Sequence, residues 1–167
     1  MSQTHAAARG AGQTQAERLV RLRMASLGVV VMLIIQFILG MIYNLYGTAP
    51  TSTKAIGLFS SPTIALHVIV GILLGLTAIV QLVRAIGTRH SLSIWLSALG
   101  LLSIIGAGFA GLGFSGSGAD GASLGMSIAF AVALACYVAL IVVLPSTAAP
   151  VPGASRAAAD GGRSSTT

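Results

Sequence analysis

The sequence predicts an all-α membrane protein, an up-and-down bundle of four transmembrane helices. Of the 167 residues, 55% are hydrophobic and only 7% are charged, with a mean hydropathy of +0.94. Because a soluble domain carries about 25% charged residues, this composition indicates a surface that faces lipid. Four long apolar runs contain no Asp, Glu, Lys or Arg. They lack the alternating pattern of barrel strands, so we expect helices, which satisfy their own backbone in hydrocarbon.

Each apolar run is close to the ~20 residues that a helix needs to cross ~30 Å of hydrocarbon. The predicted spans are residues 27–46, 64–83, 95–114 and 124–144. They form a transmembrane domain over residues 24–145. A basic N-terminal tail (1–23) and a C-terminal tail (146–167) flank it, and both are expected to be largely disordered because they offer little apolar surface.

The distribution of basic residues predicts the orientation. One side of the predicted bundle carries eight of the nine Lys and Arg residues: Arg9, Arg18, Arg21, Arg23, Arg84, Arg89, Arg156 and Arg163. Only Lys54 falls on the other side. The positive-inside rule then places both termini in the cytoplasm, with the chain in the cell (cytoplasmic) membrane. The net charge of +6 is spread over tails and a turn without a basic, aromatic-bearing face, so no nucleic-acid partner is expected.

Small residues at helical spacing predict where the helices pack. In lipid, close packing and interhelical hydrogen bonds hold helices together, and residues four apart share one helix face. The second and fourth spans carry such seams: Gly71, Gly75, Gly121, Gly125, Ala129 and Ala133. The fourth-span seam is also a candidate surface for self-association.

His67 is the one histidine inside a predicted span. At about 100° per residue it shares an arc with Gly71, Gly75 and Gln81, so it is expected to face the bundle. Gln36 marks a similar stripe on the first span. Matching depths from the span centres gives three candidate hydrogen-bond partners for His67, which are Tyr43, Asn44 and Ser127. We therefore expect interhelical polar contacts among Gln36, Tyr43, Asn44, His67 and Ser127.

Two active roles compete with this structural role. His67 is a candidate axial ligand of haem b, with Met41, Met126 or a second copy's His67 as the other ligand, which would make the protein an electron carrier. A small-molecule transporter is a further alternative, although the spans lack the carboxylate that small four-helix exporters use. Three or four converging ligands for a metal are absent from the spans, as are a converging nucleophile, base and acid. We expect no metal, no cofactor and no enzymatic activity.

Three stretches also carry a resemblance: "QFILGMIYNLYGTAP", "LHVIVGILLGL" and "SIIGAGFAGLGF". Over residues 24–145 the chain resembles small uncharacterised four-helix integral membrane proteins of bacteria, with a distant likeness to cytochrome b561-like bundles. Some proteins of this plan have a histidine near the start of the fourth span, where this chain has Gly125 and Met126. The resemblance implies the fold and transfers no activity. We expect a non-catalytic scaffold or accessory subunit of a membrane complex, a homo-oligomer or bound to a larger membrane protein.

Overall fold

Four long helices make up the fold. A computed structural model of the chain describes residues 2–47, 50–51 and 53–145, with side chains from residue 15 onward. The helices are α1 (Ser2–Tyr46), α2 (Pro62–Thr88), α3 (Ser91–Ser117) and α4 (Asp120–Val143). Each is long and apolar enough to cross a membrane, with the candidate span of α1 at Gln15–Tyr46. The predicted all-α four-helix class is confirmed.

The helices form a closed ring of neighbours. α1 packs on α2 and α4, and α3 also packs on α2 and α4. Among the described residues the diagonal pairs do not touch. Consecutive helices run antiparallel, so two ends can be defined: the basic end holds Arg18, Arg21 and the α2–α3 turn, and the loop end holds the 47–61 connection and the α3–α4 turn.

Local signals at the helix ends explain the tight turns. Ser61 accepts a hydrogen bond from the Ile64 N–H, and Pro62 opens α2, where its missing N–H costs nothing. Arg89 ends α2 in the left-handed conformation with φ 54°, and His90 directly caps α3 through Ser93 N–H. At the other end, Gly118 closes α3 with φ 66°, a conformation that glycine adopts without a Cβ penalty.

The first connection folds back over the loop end. Ile56 N–H donates to the Ser115 carbonyl at 2.9 Å, and Pro50 contacts Gly118. Thr51 and Lys54 form an isolated antiparallel bridge within the connection. These contacts attach the connection to the end of α3.

One boundary differs from the predicted domains. The N-terminal tail was expected to be disordered over 1–23, whereas α1 already begins at Ser2. Residues 2–23 contain no proline and are rich in Ala, Gln and Arg, which favour helix and let α1 continue outward from the span. The predicted C-terminal tail (146–167) lies outside the described residues.

The outer surface of the bundle is apolar. Large side chains such as Leu102, Phe109 and Val142 are exposed, while the small core residues Ala78, Ala85 and Ala133 are fully buried. A soluble protein rarely exposes so large an area of contiguous apolar side chains. This surface fits lipid, and the helices approach each other closely through their small residues.

Candidate functional site

The intramembrane histidine is bonded to the first helix. His67 Nε2 lies 3.0 Å from Gln36 Nε2, joining α2 to α1. Because the amide nitrogen can only donate, Gln36 Nε2 is the donor of this bond and His67 Nε2 is the acceptor. Two glycines make room for this pair. A Cβ on Gly40 would lie 3.3 Å from His67 Cε1, and one on Gly71 would lie 3.1 Å from Gln36 Nε2.

The bonded partner differs from the three that depth matching predicted. Asn44 is exposed, Ser127 donates to the Ser123 carbonyl of its own helix at 3.0 Å, and Tyr43 is half-buried near the end of α1. None of the three is the residue that His67 contacts through Nε2. In the observed register Gly40 of α1 lies opposite His67. Gln36, one helical turn before Gly40, bonds to the ring.

A second polar contact joins the same two helices toward the basic end. Gln81 is 1% exposed, and its Nε2 donates to Ser26 Oγ at 2.6 Å and to the Leu22 carbonyl at 3.0 Å. Sequence analysis placed Gln81 on the inner arc of α2 but assigned it no partner. Ser26 was missed, because a single serine at the edge of an apolar run carries no distinguishing signal.

Some buried polar atoms are left over after these bonds. Within the described residues, Gln36 Oε1, His67 Nδ1, Gln81 Oε1, Ser97 Oγ and Tyr137 Oη have no hydrogen-bond partner. Tyr137 of α4 packs against Gly100 of α3, where a Cβ would lie 2.8 Å from Tyr137 Cε2. Few side-chain hydrogen bonds therefore join the helices, and unbonded polar atoms remain buried beside them.

The predicted packing residues divide into two groups. Gly71 lies against Gln36, a Cβ on Gly125 would lie 3.9 Å from the Ala110 Cβ of α3, and Ala133 is fully buried. Ala129 is half-buried, whereas Gly75 and Gly121 have open space where a Cβ would stand. Gly125 and Ala133 therefore lie on the side of α4 that packs within the bundle, whereas Gly121 is open, and self-association through this seam stays a prediction.

The imidazole environment fits an axial haem ligand poorly. His67 Nε2 faces the Gln36 amide at 3.0 Å, and the ring edge lies against Gly40. A porphyrin at this ring would have to displace Gln36 and separate α1 from α2. The two sulfur candidates have other surroundings: Met41 is 40% exposed on the outer surface, and the Met126 sulfur would lie 3.7 Å from a Cβ placed on Gly111 of α3. Among the described side chains, no three His, Cys, Asp or Glu residues converge as metal ligands would.

Arginines at the basic end hold two other helix ends. Arg23 Nε donates to the Ile141 carbonyl at 2.8 Å, and Arg18 donates to the Gly87 carbonyl at 3.4 Å. The last carbonyls of a helix lack partners and carry the negative end of its dipole, so a cation there is stabilising. Two arginines of α1 therefore bond to carbonyls near the C-terminal ends of α4 and α2 and stabilise those ends.

Comparison with known proteins gives no match for this chain. No protein-family model, no curated protein and no solved structure matches the sequence or the fold at a significant level. The resemblance to small bacterial four-helix membrane proteins stays a prediction, and function is inferred from the geometry of this chain.

Proposed function

We propose that the protein is a non-catalytic scaffold or accessory subunit of a membrane complex, located in a bacterial cytoplasmic membrane with both termini in the cytoplasm. The observation that carries this proposal is the Gln36–His67 bond. The side chain best suited to ligand or proton chemistry is engaged in joining two helices. Gln81 does the same with Ser26, so the intramembrane polar groups serve assembly of the bundle.

A scaffold also needs a surface for its partner, and α3 offers one. A Cβ placed on Gly106 or on Gly116 would have no neighbour within 4 Å. Leu102 and Phe109 of the same helix are 65% and 70% exposed. These four residues share one helix face, the α3 outer face. Small residues beside a large apolar one allow a second membrane helix to approach closely. The partner we propose is another transmembrane helix, from a second copy or from a larger membrane protein.

Site-directed photocrosslinking in native membranes tests this proposal. A photoreactive residue at Phe109 should capture a defined product, either a dimer or a complex with a larger membrane protein. The matched control is Val142, which is 78% exposed on α4 and should capture only lipid. Monomer alone at both positions, or equal capture at both, would overturn the association surface.

A visible absorption spectrum tests the non-catalytic part of the proposal against haem binding. Protein expressed with ample haem should show no Soret band, because Gln36 occupies the coordinating nitrogen. A Soret band that disappears in His67→Ala would replace the scaffold with an electron carrier. Substrate flux in reconstituted vesicles that disappears in Gln36→Leu would replace it with a transporter.

A further inference from the structure

A groove opens toward lipid between α1 and α2, in the half of the bundle near the basic end. Its volume is about 260 Å³. Ala25 of α1 forms one wall, and its small side chain leaves the space. The other wall belongs to α2: Leu73, Leu76, Thr77, Val80, Gln81 and Arg84. The Thr77 hydroxyl and the Gln81 amide nitrogen already donate hydrogen bonds within the protein, to the Leu73 carbonyl and to Ser26 and the Leu22 carbonyl. The groove is therefore mostly apolar, with a cation at one end.

The length of the groove matches one leaflet. Leu73 and Arg84 are eleven residues apart in α2, which corresponds to about 16 Å at a rise of ~1.5 Å per residue. Half of the hydrocarbon thickness is about 15 Å. Because the apolar run of α2 ends at Val83, Arg84 lies where the hydrocarbon gives way to headgroups. The groove is therefore long enough for one acyl chain to lie along it from headgroup depth toward the bilayer midplane.

A second arginine lies beside the same end. Residues 18–22 of α1 face residues 81–87 of α2, since Arg18 bonds to the Gly87 carbonyl and Gln81 bonds to the Leu22 carbonyl. Arg21 therefore stands at the depth of Arg84. It also lies one helical turn before Ala25, on the face that borders the groove. Both arginines are exposed.

These two guanidinium groups are not used by the fold. Arg18 and Arg23 bond to helix carbonyls, whereas neither Arg21 nor Arg84 has a hydrogen bond or ion pair within the part of the chain that the structure describes. Glu17, the nearby carboxylate, forms no ion pair with them. An anion placed between the two arginines would neutralise their positive charge. A phosphate also accepts the hydrogen bonds that guanidinium groups donate.

We propose that this groove binds an anionic phospholipid of the leaflet at the basic end, with one acyl chain against Ala25, Leu76 and Val80 and the headgroup phosphate between Arg21 and Arg84. The apolar walls favour a ligand with an acyl chain, and the two arginines favour a headgroup with a net negative charge. Phosphatidylglycerol has both features. A soluble phosphate has the negative charge but no acyl chain, and a zwitterionic lipid has the acyl chain but no net charge.

Native mass spectrometry of the full-length protein tests the site. The protein is released from vesicles that contain equal amounts of phosphatidylglycerol and phosphatidylcholine with identical acyl chains. A bound lipid should be retained, with phosphatidylglycerol enriched over phosphatidylcholine. Each interfacial arginine contributes about fivefold to binding of an anionic lipid, so Arg84→Gln and Arg21→Gln should each lower the enrichment by about fivefold.

Matched variants separate a site from diffuse attraction. Arg89→Gln removes one exposed charge from the same end but outside the groove, and it should leave the enrichment unchanged. Ala25→Phe fills the groove with both arginines intact and should abolish retention, whereas Met24→Phe, at an exposed neighbour outside the groove, should not. Circular dichroism checks that every variant is folded.

Three results would overturn the proposal. Equal retention of the two lipids would remove the headgroup selectivity. An equal loss in Arg89→Gln and Arg84→Gln would show that net charge alone attracts the lipid. Displacement of phosphatidylglycerol by soluble glycerol 3-phosphate would show that the arginines bind phosphate without using the apolar groove.

Discussion

Gln36 and His67 form a single hydrogen bond in a setting where water cannot replace it. Their contact brings the α1 and α2 backbones together at Gly40 and Gly71. Interhelical hydrogen bonds in membranes contribute about 0.6 kcal/mol on average and under about 2 kcal/mol at most, because the separated helices also find polar partners in the bilayer. The bond therefore positions α2 on α1 with only a modest effect on stability.

We predict that His67→Leu lowers the free energy of unfolding by less than about 2 kcal/mol. A double-mutant cycle with Gln36→Leu should give a coupling of about 0.6 kcal/mol, measured by steric trapping in bicelles. Ser127→Ala is the control, because that hydroxyl bonds to its own helix and should show no coupling to His67. A coupling near zero between Gln36 and His67 would contradict the observed bond, and complete failure to fold would show that the seam matters far more than one bond.

Gly100 is the position where the smallest added group should do the most damage. A Cβ there would lie 2.8 Å from Tyr137 Cε2 and 3.0 Å from Cζ, and Tyr137 is fully buried, so the ring is surrounded by other atoms of the bundle. We predict that Gly100→Ala lowers stability by about 1–3 kcal/mol, the usual effect of overpacking a core. Gly106→Ala is the matched control in the same helix, since nothing lies within 4 Å of its Cβ position. Equal effects of the two substitutions on thermal stability in detergent would contradict the close packing of α3 on Tyr137.

At the scale of the helices, α1 is tied to the end of α4 by a charged hydrogen bond. Arg23 Nε donates to the Ile141 carbonyl at 2.8 Å from a half-buried position. Hydrogen bonds that involve a charged group contribute about 1.5–3 kcal/mol when partly buried. We predict that Arg23→Gln destabilises the bundle by about 1.5 kcal/mol, measured by steric trapping in zwitterionic bicelles. Arg21→Gln removes the same charge from an exposed, unbonded side chain and should change stability little. The reverse order of the two variants would contradict the proposed role of Arg23.

The number and type of helices could be predicted from the sequence because hydropathy averages over many residues. Apolar runs of ~20 residues without charge cross a lipid bilayer as helices, and the structure has a helix at each of the four runs. The ends were less predictable. α2 and α3 continue past the predicted spans to Thr88 and from Ser91, since helical hydrogen bonding persists into the interface after hydrophobicity ends.

The partner of His67 could not be predicted from span centres alone. A centre read from hydropathy is uncertain by several residues, and one helical turn is enough to change the neighbour of a side chain. The register of the two helices places small residues opposite large ones. Gly40 lies opposite His67, and Gly71 lies opposite Gln36. Reading the glycines of α1 and α2 as a pair, rather than each helix by its own face, is the signal that points to this register.

For the whole molecule, the exposed surface and the charges specify how the bundle lies in a bilayer. Large apolar side chains cover the outside along all four helices. Among the side chains that the structure describes, the basic end carries five arginines and one acid, whereas the loop end carries one lysine and one acid. These are Arg18, Arg21, Arg23, Arg84, Arg89 and Glu17 at the basic end and Lys54 and Asp120 at the loop end. Short basic segments beside spans remain on the cytoplasmic side during insertion, so we predict that the loop end faces outward.

Cysteine labelling measures this orientation with little disturbance of the fold. Cys136 is the single cysteine and is buried, so a Cys136→Ala background removes the native thiol with a small change in volume. In intact cells, a membrane-impermeant maleimide should label Thr53→Cys, because Thr53 is exposed in the first connection. Arg89→Cys, exposed in the α2–α3 turn, should react only after the cells are permeabilised. The opposite pattern would invert the bundle and would place the groove of Arg21 and Arg84 in the outer leaflet. The groove lies at the depth of its two arginines, so its lipid would then belong to the outer leaflet. The unequal distribution of basic residues between the two ends would then not be explained by the positive-inside rule.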